Sequence, residues 1–181
     1  MSLQQPALLF TQEQIACRVG ELARQISSDY ADVRELVMVG VLRGCYMFLA
    51  DLSRALTVPR RVDFIAVSAY GQQTSPSDAL RLIMDVRSDL AGQHVLLVDD
   101  IVESGRTLHY LLNLFRARNP ASLRTCAFLR KPGRLEVEVP LDYLGFDIPD
   151  VWVVGYGLDC ADRFRALPYI GQVDPKELGV E

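Results

Sequence analysis

Short apolar runs alternate along this chain with segments whose apolar residues recur at helical spacing. The runs Leu36–Leu42 (LVMVGVL) and His94–Val98 are continuous, which is typical of buried parallel strands. Tyr46–Leu56 and Thr107–Arg118 place their apolar residues on one helical face. Strands that alternate with helices of about 10–15 residues predict an α/β fold, with a mostly parallel, twisted sheet flanked by helices.

Further elements fit the same alternation. Thr11–Gln14 has the pattern of a helix capping box, and the polar stretch Gly71–Asp78 (GQQTSPSD) predicts a loop. Four more strands are predicted, at Val62–Val67, Leu82–Val86, Ser122–Leu129 and Val151–Val154. Ligands bind such sheets beyond the carboxyl ends of the strands. Functional residues are therefore expected after five strand ends, at Val41, Val67, Val98, Leu129 and Val154.

Composition disfavours several classes of protein. The chain has 181 residues, enough for one domain with a full core, and its formal net charge of -4 disfavours a nucleic-acid partner. No apolar run reaches the roughly 18–20 residues of a membrane helix, so no membrane partner is expected. The four cysteines are scattered without a Cys-x-x-Cys motif, which indicates reduced thiols in a cytoplasmic protein rather than a zinc site.

The segment Val95–Leu108 (VLLVDDIVESGRTL) carries the clearest chemical signal. An apolar strand runs into Asp99 and Asp100, and the polar turn Glu103–Thr107 then opens a helix. Backbone N–H groups of such a turn and of the helix N-terminus form an anion site. The sequence lacks both a Walker A motif and a G-x-G-x-x-G fingerprint. A single phosphate monoester therefore fits better than a nucleoside triphosphate or a dinucleotide.

The acidic residues beside this turn have two interpretations. Adjacent carboxylates at the end of a buried strand are costly unless they bind sugar hydroxyls or a divalent cation. In that interpretation, Glu103 just beyond them is placed to handle a proton. Alternatively, Asp99 and Asp100 only cap a turn and Glu103 is solvated. The whole fourteen-residue pattern favours the functional interpretation.

The segment VLLVDDIVESGRTL resembles the ribose-phosphate loop of the type I phosphoribosyltransferases, and most closely their hypoxanthine-guanine branch. The resemblance covers nearly the whole chain. It implies the type I phosphoribosyltransferase fold in a single domain, 1–181, with a small hood from roughly residues 1–15 and 130–181 and a mobile loop at roughly 69–82. Its other motifs are Val39–Gly44, Val67–Gly71, Arg130–Pro132, Gly145–Pro149, Val153–Asp159, Phe164-Arg165 and Leu167–Gly171.

The resemblance also implies an activity and a set of site residues. The reaction is transfer of the 5-phosphoribosyl group of phosphoribosyl pyrophosphate to a 6-oxopurine base in purine salvage, with Mg2+ as cofactor and pyrophosphate as product. Glu103 is the implied catalytic residue. Ribose and 5'-phosphate ligands are Asp99, Asp100, Ser104, Gly105, Arg106 and Thr107. Pyrophosphate ligands are Arg43, Gly44 and Arg165, in a loop where a non-proline cis peptide is expected. The implied purine contacts are Lys131, Trp152, Val153 and Asp159. The implied lid includes Ala69 and Tyr70. The implied metal ligands are Asp159, Asp99 and Asp100, some of them through an indirect contact.

Several alternatives stay open at this stage. Lys131 would donate to the purine O6 and disfavour adenine, but hypoxanthine, guanine and xanthine all carry O6. Without their motifs, Lys131 reads as a solvated lysine and Trp152 as a core aromatic. The same fold could serve as a regulator that binds the ribose phosphate with little catalysis. Family members usually have Asp where this chain has Glu103, and a Glu-Asp pair at Asp99-Asp100. A homodimer or homotetramer is implied by the resemblance alone.

Overall fold

The computed structural model describes residues 5–69 and 80–179 of the chain. Its strands are β1 Ala7–Phe10, β2 Leu36–Leu42, β3 Arg60–Ala69, β4 Leu80–Met84, β5 His94–Val102, β6 Ser122–Arg130, β7 Tyr143–Asp147, β8 Trp152–Val154 and β9 Ile170–Val173. Its helices are α1 Gln12–Asp29, α2 Tyr46–Ala55 and α3 Arg106–Arg116, with short 3-10 helices at Pro132–Arg134 and Pro175–Leu178. In the part of the chain that is described, no helix is long and apolar enough to span a bilayer.

Six strands form the main sheet, in the order β4-β3-β2-β5-β6-β7. All neighbours are parallel except β4, which pairs antiparallel with β3 at the edge. The predicted α/β fold with a mostly parallel sheet is confirmed. Because β2, β5 and β6 run in the same direction, their carboxyl ends meet at one edge of this sheet.

The two faces of the main sheet are buried by different helices. Alternate residues of β2 point to opposite faces, so Met38 packs in the core beneath α1 and α2, and Val39 packs in the core beneath α3. This is why the run LVMVGVL shows no polar alternation. The predicted capping box is confirmed at the start of α1, where Thr11 and Gln14 exchange side-chain-to-backbone hydrogen bonds.

A second, smaller sheet joins the two ends of the chain, in the order β1-β9-β8 and wholly antiparallel. The strand predicted at Val151–Val154 exists as β8, but it belongs to this sheet and not to the main one. The expectation that Val154 ends a strand of the main sheet is therefore wrong. A short apolar run does not encode which partner it will pair with, and β8 pairs with β9, a strand that the hydrophobic pattern did not predict.

Part of the segment assigned to the hood lies elsewhere. Tyr143–Asp147 forms β7, the edge strand of the main sheet, although the hood is predicted within residues 130–181. Strand β4 lies two residues earlier than the predicted Leu82–Val86. The predicted loop Gly71–Asp78 and most of the 69–82 segment fall outside the described residues.

Gly145 tests how closely β7 packs against β6. A Cβ atom at Gly145 would lie 2.2 Å from the carbonyl oxygen of Phe128, a backbone atom that cannot move without disturbing β6. We expect Gly145→Ala to lower the free energy of unfolding by about 1–3 kcal/mol in urea denaturation. Gly133→Ala is the matched control, because a Cβ there meets nothing within 4 Å. Equal losses in the two variants would contradict the packing argument.

Candidate active site

The candidate site forms where β2, β5 and β6 end. The register of β5 with β6 pairs Val102 with Arg130, so the residues that follow, Glu103 and Lys131, lie side by side. The backbone N–H of Lys131 still donates to the carbonyl of Val102 at 2.9 Å, which continues the ladder by one bond. The parallel register thus brings together two residues that are 28 positions apart in the sequence.

The turn after β5 surrounds a cavity of about 250 Å3. Gly105 caps α3 with φ of 79°, a conformation that favours glycine. The carbonyl of Ser104 accepts from the backbone N–H groups of Glu136 and Val137, both at 3.1 Å, so the chain at 136–137 supports the turn from behind. The residues lining the cavity are Asp99, Ile101, Val102, Glu103, Ser104, Gly105, Thr107 and Leu108. This cavity lies at the turn where the sequence predicts an anion site.

Asp99 and Asp100 lie inside β5, not after it, because the strand continues to Val102. Asp99 is only 5% exposed, and its Oδ1 accepts from the backbone N–H of Asp100 at 3.1 Å. Burial raises the pKa of Asp99 well above that of an ordinary aspartate, and the charge of Asp100 adds to the effect. Burial also raises the pKa of Asp100, with an opposing effect from Arg165. Such a pair gains stability when hydroxyl groups or a cation compensate its charge.

Glu103 and Lys131 form an ion pair. Lys131 is 3% exposed, and its Nζ donates to Oε1 of the 42% exposed Glu103. Asp150 is a second carboxylate near the ammonium, with its Oδ1 3.8 Å from Nζ of Lys131. The alternatives of a solvated Lys131 and a freely solvated Glu103 are therefore wrong. A buried ammonium is stable only with such partners.

Trp152 stays on the surface, although it is the only tryptophan of the chain. It is 44% exposed at the first position of β8, and the alternative of a core aromatic is wrong. Its neighbour Val153 is buried, and the backbone of Val153 pairs with Gln172 of β9. A half-exposed ring on a strand anchored by its neighbour is available for stacking.

The loop after β2 contacts a turn that follows β8. The peptide bond between Leu42 and Arg43 is cis, as the family resemblance implies. A Cβ atom at Gly44 would lie 1.7 Å from Oδ2 of Asp100, and a Cβ at Gly157 would lie 2.0 Å from the carbonyl oxygen of Gly44. Both positions therefore need glycine for this close approach, and Gly157 also has φ of 101°.

Arg165 is held over this loop by three acceptors. Its Nη1 donates to the carbonyl of Gly157 at 2.9 Å. Its Nη2 lies 2.8 Å from Oδ1 of Asp159 and 3.1 Å from Oδ1 of Asp162. Asp162 also lies 3.3 Å from Nη2 of Arg43. The predicted residues Arg43, Arg165 and Asp159 are thus joined through Asp162, which the sequence interpretation missed.

Asp162 and Asp150 are the two contact residues that the sequence interpretation missed. Asp162 lies three residues from both Asp159 and Arg165, and this spacing was the available signal. Asp150 precedes β8 and gave no signal of its own. Both contacts depend on turns that the hydrophobic pattern does not encode.

The aspartates assigned to a metal do not form a closed protein site. Within residues 5–69 and 80–179, no three Asp, Glu, His or Cys side chains come together as metal ligands. Asp159 is engaged with Arg165, whereas Asp99 and Asp100 contact each other. Of the predicted lid, Ala69 ends β3 with its backbone paired to Leu80, and Tyr70 lies outside the described residues.

Known proteins match this chain over most of its length. The profile of the phosphoribosyl transferase domain matches residues 8–161. The hypoxanthine-guanine phosphoribosyltransferase of Dictyostelium discoideum is 47% identical over 169 residues, covering 92% of this chain and 94% of that protein. The hypoxanthine phosphoribosyltransferase of Escherichia coli is 44% identical over 167 residues, covering 92% and 94%. A solved structure of Trypanosoma cruzi hypoxanthine phosphoribosyl transferase superposes with a TM-score of 0.91 at 39% identity, covering 99% and 97%.

Asp99→Asn tests the cost of the buried acid. Because folding raises the pKa of Asp99, the native state prefers the protonated form, and ionised Asp99 destabilises it at high pH. We expect the variant to be more stable than wild type near pH 8, by about 1.4 kcal/mol for each unit of pKa shift. The gain should shrink as the pH falls through the raised pKa of the folded state towards the ordinary value of about 3.9.

Chemical denaturation at a series of pH values measures this difference. Asp32→Asn makes the same chemical change at an exposed position and is the matched control. A stabilisation by Asp99→Asn that grows towards acidic pH would contradict the interpretation.

Proposed function

The chain belongs to the phosphoribosyl transferase family, and from this we propose that it transfers the 5-phosphoribosyl group of phosphoribosyl pyrophosphate to hypoxanthine, giving the nucleoside monophosphate and pyrophosphate in purine salvage. It is therefore a transferase. The observation that carries the assignment of the base is the contact between Lys131 and Glu103 beside the phosphate turn. We expect the protein to act in the cytoplasm.

The pair of Lys131 and Glu103 fits one edge of a 6-oxopurine. In such a base, O6 and N7 are neighbours on the same edge. O6 is an acceptor, and N7 carries the proton that must leave when N9 attacks. The ammonium of Lys131 can donate to O6, and the carboxylate of Glu103 can manage the proton at N7 as the base attacks through N9. Adenine would present an amino group to the ammonium, and a site built for one hydrogen-bonding group rejects its replacement strongly. Trp152 would supply a ring for stacking, and Val153 and Asp159 would contact the base.

The ribose phosphate fits the turn after β5. Ser104, Gly105, Arg106 and Thr107 surround the start of α3, where backbone N–H groups attract the 5'-phosphate. Asp99 and Asp100 would accept hydrogen bonds from the ribose 2'- and 3'-hydroxyls. This contact would compensate the burial that raises the pKa of both carboxyls.

Pyrophosphate and Mg2+ fit the loop after β2. Arg43, the backbone of Gly44 and Arg165 lie together there, and guanidinium groups suit phosphate oxygens. Mg2+ usually takes only one or two carboxylates and completes its shell with water and substrate phosphates. Asp99, Asp100 and Asp159 fit that requirement without a closed protein cage. The ion would stabilise negative charge on the departing pyrophosphate.

Guanine is a second proposed substrate. It carries O6 and N7 on the same edge as hypoxanthine, and the relative from Dictyostelium discoideum is named for both bases. Xanthine differs from these bases only at C2, where contacts from Val153–Asp159 would determine whether it is accepted. A catalytically weak regulator is less well supported, because the ion pair of Lys131 and Glu103 suits a purine.

We also propose that the protein forms a homodimer or homotetramer. Oligomeric state was studied in the Trypanosoma cruzi neighbour.

A steady-state assay with Mg2+, phosphoribosyl pyrophosphate and each of four bases tests the function. We expect turnover of hypoxanthine and guanine, and little or none of adenine, because Lys131 faces the group at C6. Xanthine reports on the contacts at C2. No nucleotide from any base would overturn the enzymatic function, and adenine turnover above that of hypoxanthine would overturn the role of Lys131.

Glu103→Gln tests the catalytic role of the carboxylate. We expect kcat with hypoxanthine to fall by about 100-fold or more, the usual contribution of a general base. Glu103→Asp keeps a carboxylate and should retain or raise kcat. Glu138→Gln is the control, because it makes the same chemical change at an exposed position. Full activity of Glu103→Gln would exclude Glu103 as the base.

A further inference from the structure

Asp162 places one carboxylate oxygen between two arginines. Its Oδ1 lies 3.3 Å from Nη2 of Arg43 and 3.1 Å from Nη2 of Arg165. These are the two guanidinium groups to which pyrophosphate binding is assigned above. A single anionic oxygen therefore already occupies the face that they share.

The backbone holds Asp162 in this position. Asp162 and Ala161 have φ of 58° and 51°, in a left-handed region that costs free energy for residues with a side chain. The N–H of Asp162 donates to Oδ2 of Asp159 at 2.8 Å, which ties the turn to the same cluster. Among the residues that the structure describes, four of the five non-glycine residues with positive φ lie at 156–164, and such conformations cluster at functional sites.

Both terminal nitrogens of Arg165, Nη1 and Nη2, have partners in this state. It contacts Asp159 and the carbonyl of Gly157 as well as Asp162, and its side chain is 21% exposed. Arg43 is different, because its side chain is 72% exposed. An incoming diphosphate would therefore have to replace Asp162 at both arginines, while the other contacts of Arg165 can remain.

We propose that Asp162 is a stand-in anion for the diphosphate, and that its displacement sets the affinity for phosphoribosyl pyrophosphate and for the pyrophosphate product. The inference rests on the proposed function of this loop. Diphosphate oxygens offer the arginines paired acceptors of higher charge, so the exchange favours the substrate. A competing internal contact weakens the apparent affinity, because only the fraction of molecules in which the contact is open can bind the diphosphate.

A competing Asp162 and a merely structural Asp162 predict opposite changes in the affinity for diphosphate. If Asp162 only supported Arg165, its loss would weaken the binding of diphosphate. If it competes, neutralising it should strengthen that binding. Exposed ion pairs are weak individually, and two together correspond to a change of about three- to tenfold in a dissociation constant. Asp162 is thus an internal competitor whose removal should improve the affinity for diphosphate.

Calorimetric titration of inorganic pyrophosphate with Mg2+ into wild type and Asp162→Asn tests the proposal. We expect the dissociation constant to fall three- to tenfold in the variant. The KM for phosphoribosyl pyrophosphate and the product-inhibition constant of pyrophosphate should fall by the same factor, and the KM for hypoxanthine should not change. Asp85→Asn is the control, because it removes the same charge from a pair with Arg118.

The outcomes separate this inference from the proposed function. An unchanged or raised dissociation constant in Asp162→Asn, with an active wild type, overturns the role of Asp162 alone. An equal fall in Asp85→Asn also overturns it, since the effect would then come from net charge. A wild type that binds neither pyrophosphate nor phosphoribosyl pyrophosphate and forms no nucleotide overturns both.

Discussion

The parallel pairing of β5 with β2 on one side and β6 on the other decides where the polar groups of the site lie. In a parallel sheet the register fixes which loop residues become neighbours, and here Val102 opposite Arg130 makes Glu103 a neighbour of Lys131. The pairing of β2 with β5 brings the loop at Gly44 against Asp100 in the same way. These contacts join residues that are far apart in the sequence, and the pairing of the strands is enough to bring their loops together.

The elements that the sequence predicted well are those that a local pattern determines. The core strands, the capping box at Thr11 and the glycine turn at Gly105 follow from periodicity and from backbone preferences. Lys131 and Trp152 could be assigned only through their motifs, because neither exposure nor partners can be read from a single residue. Their exposures are opposite to the ordinary expectation, with the lysine buried and the tryptophan half-exposed.

What the sequence could not predict depends on tertiary pairing. The sheet to which β8 belongs is decided by β9, which follows it by 15 residues of irregular chain. The position of Asp162 depends on successive residues in the left-handed region, which a non-glycine sequence does not signal. The continuation of β5 through Asp99 and Asp100 is likewise set by the neighbouring strands, since carboxylates disfavour a buried strand on their own.

The close packing of Asp100, Gly44 and Gly157 has a mechanical consequence. A Cβ atom at Gly44 would clash with the carboxylate of Asp100, and a Cβ atom at Gly157 would clash with the carbonyl oxygen of Gly44. Gly44 follows β2 of the main sheet, and Gly157 follows β8 of the small sheet. One narrow backbone contact therefore joins the small sheet, the loop after β2 and the carboxylate of Asp100. If ribose and diphosphate bind as proposed, their two subsites share this contact.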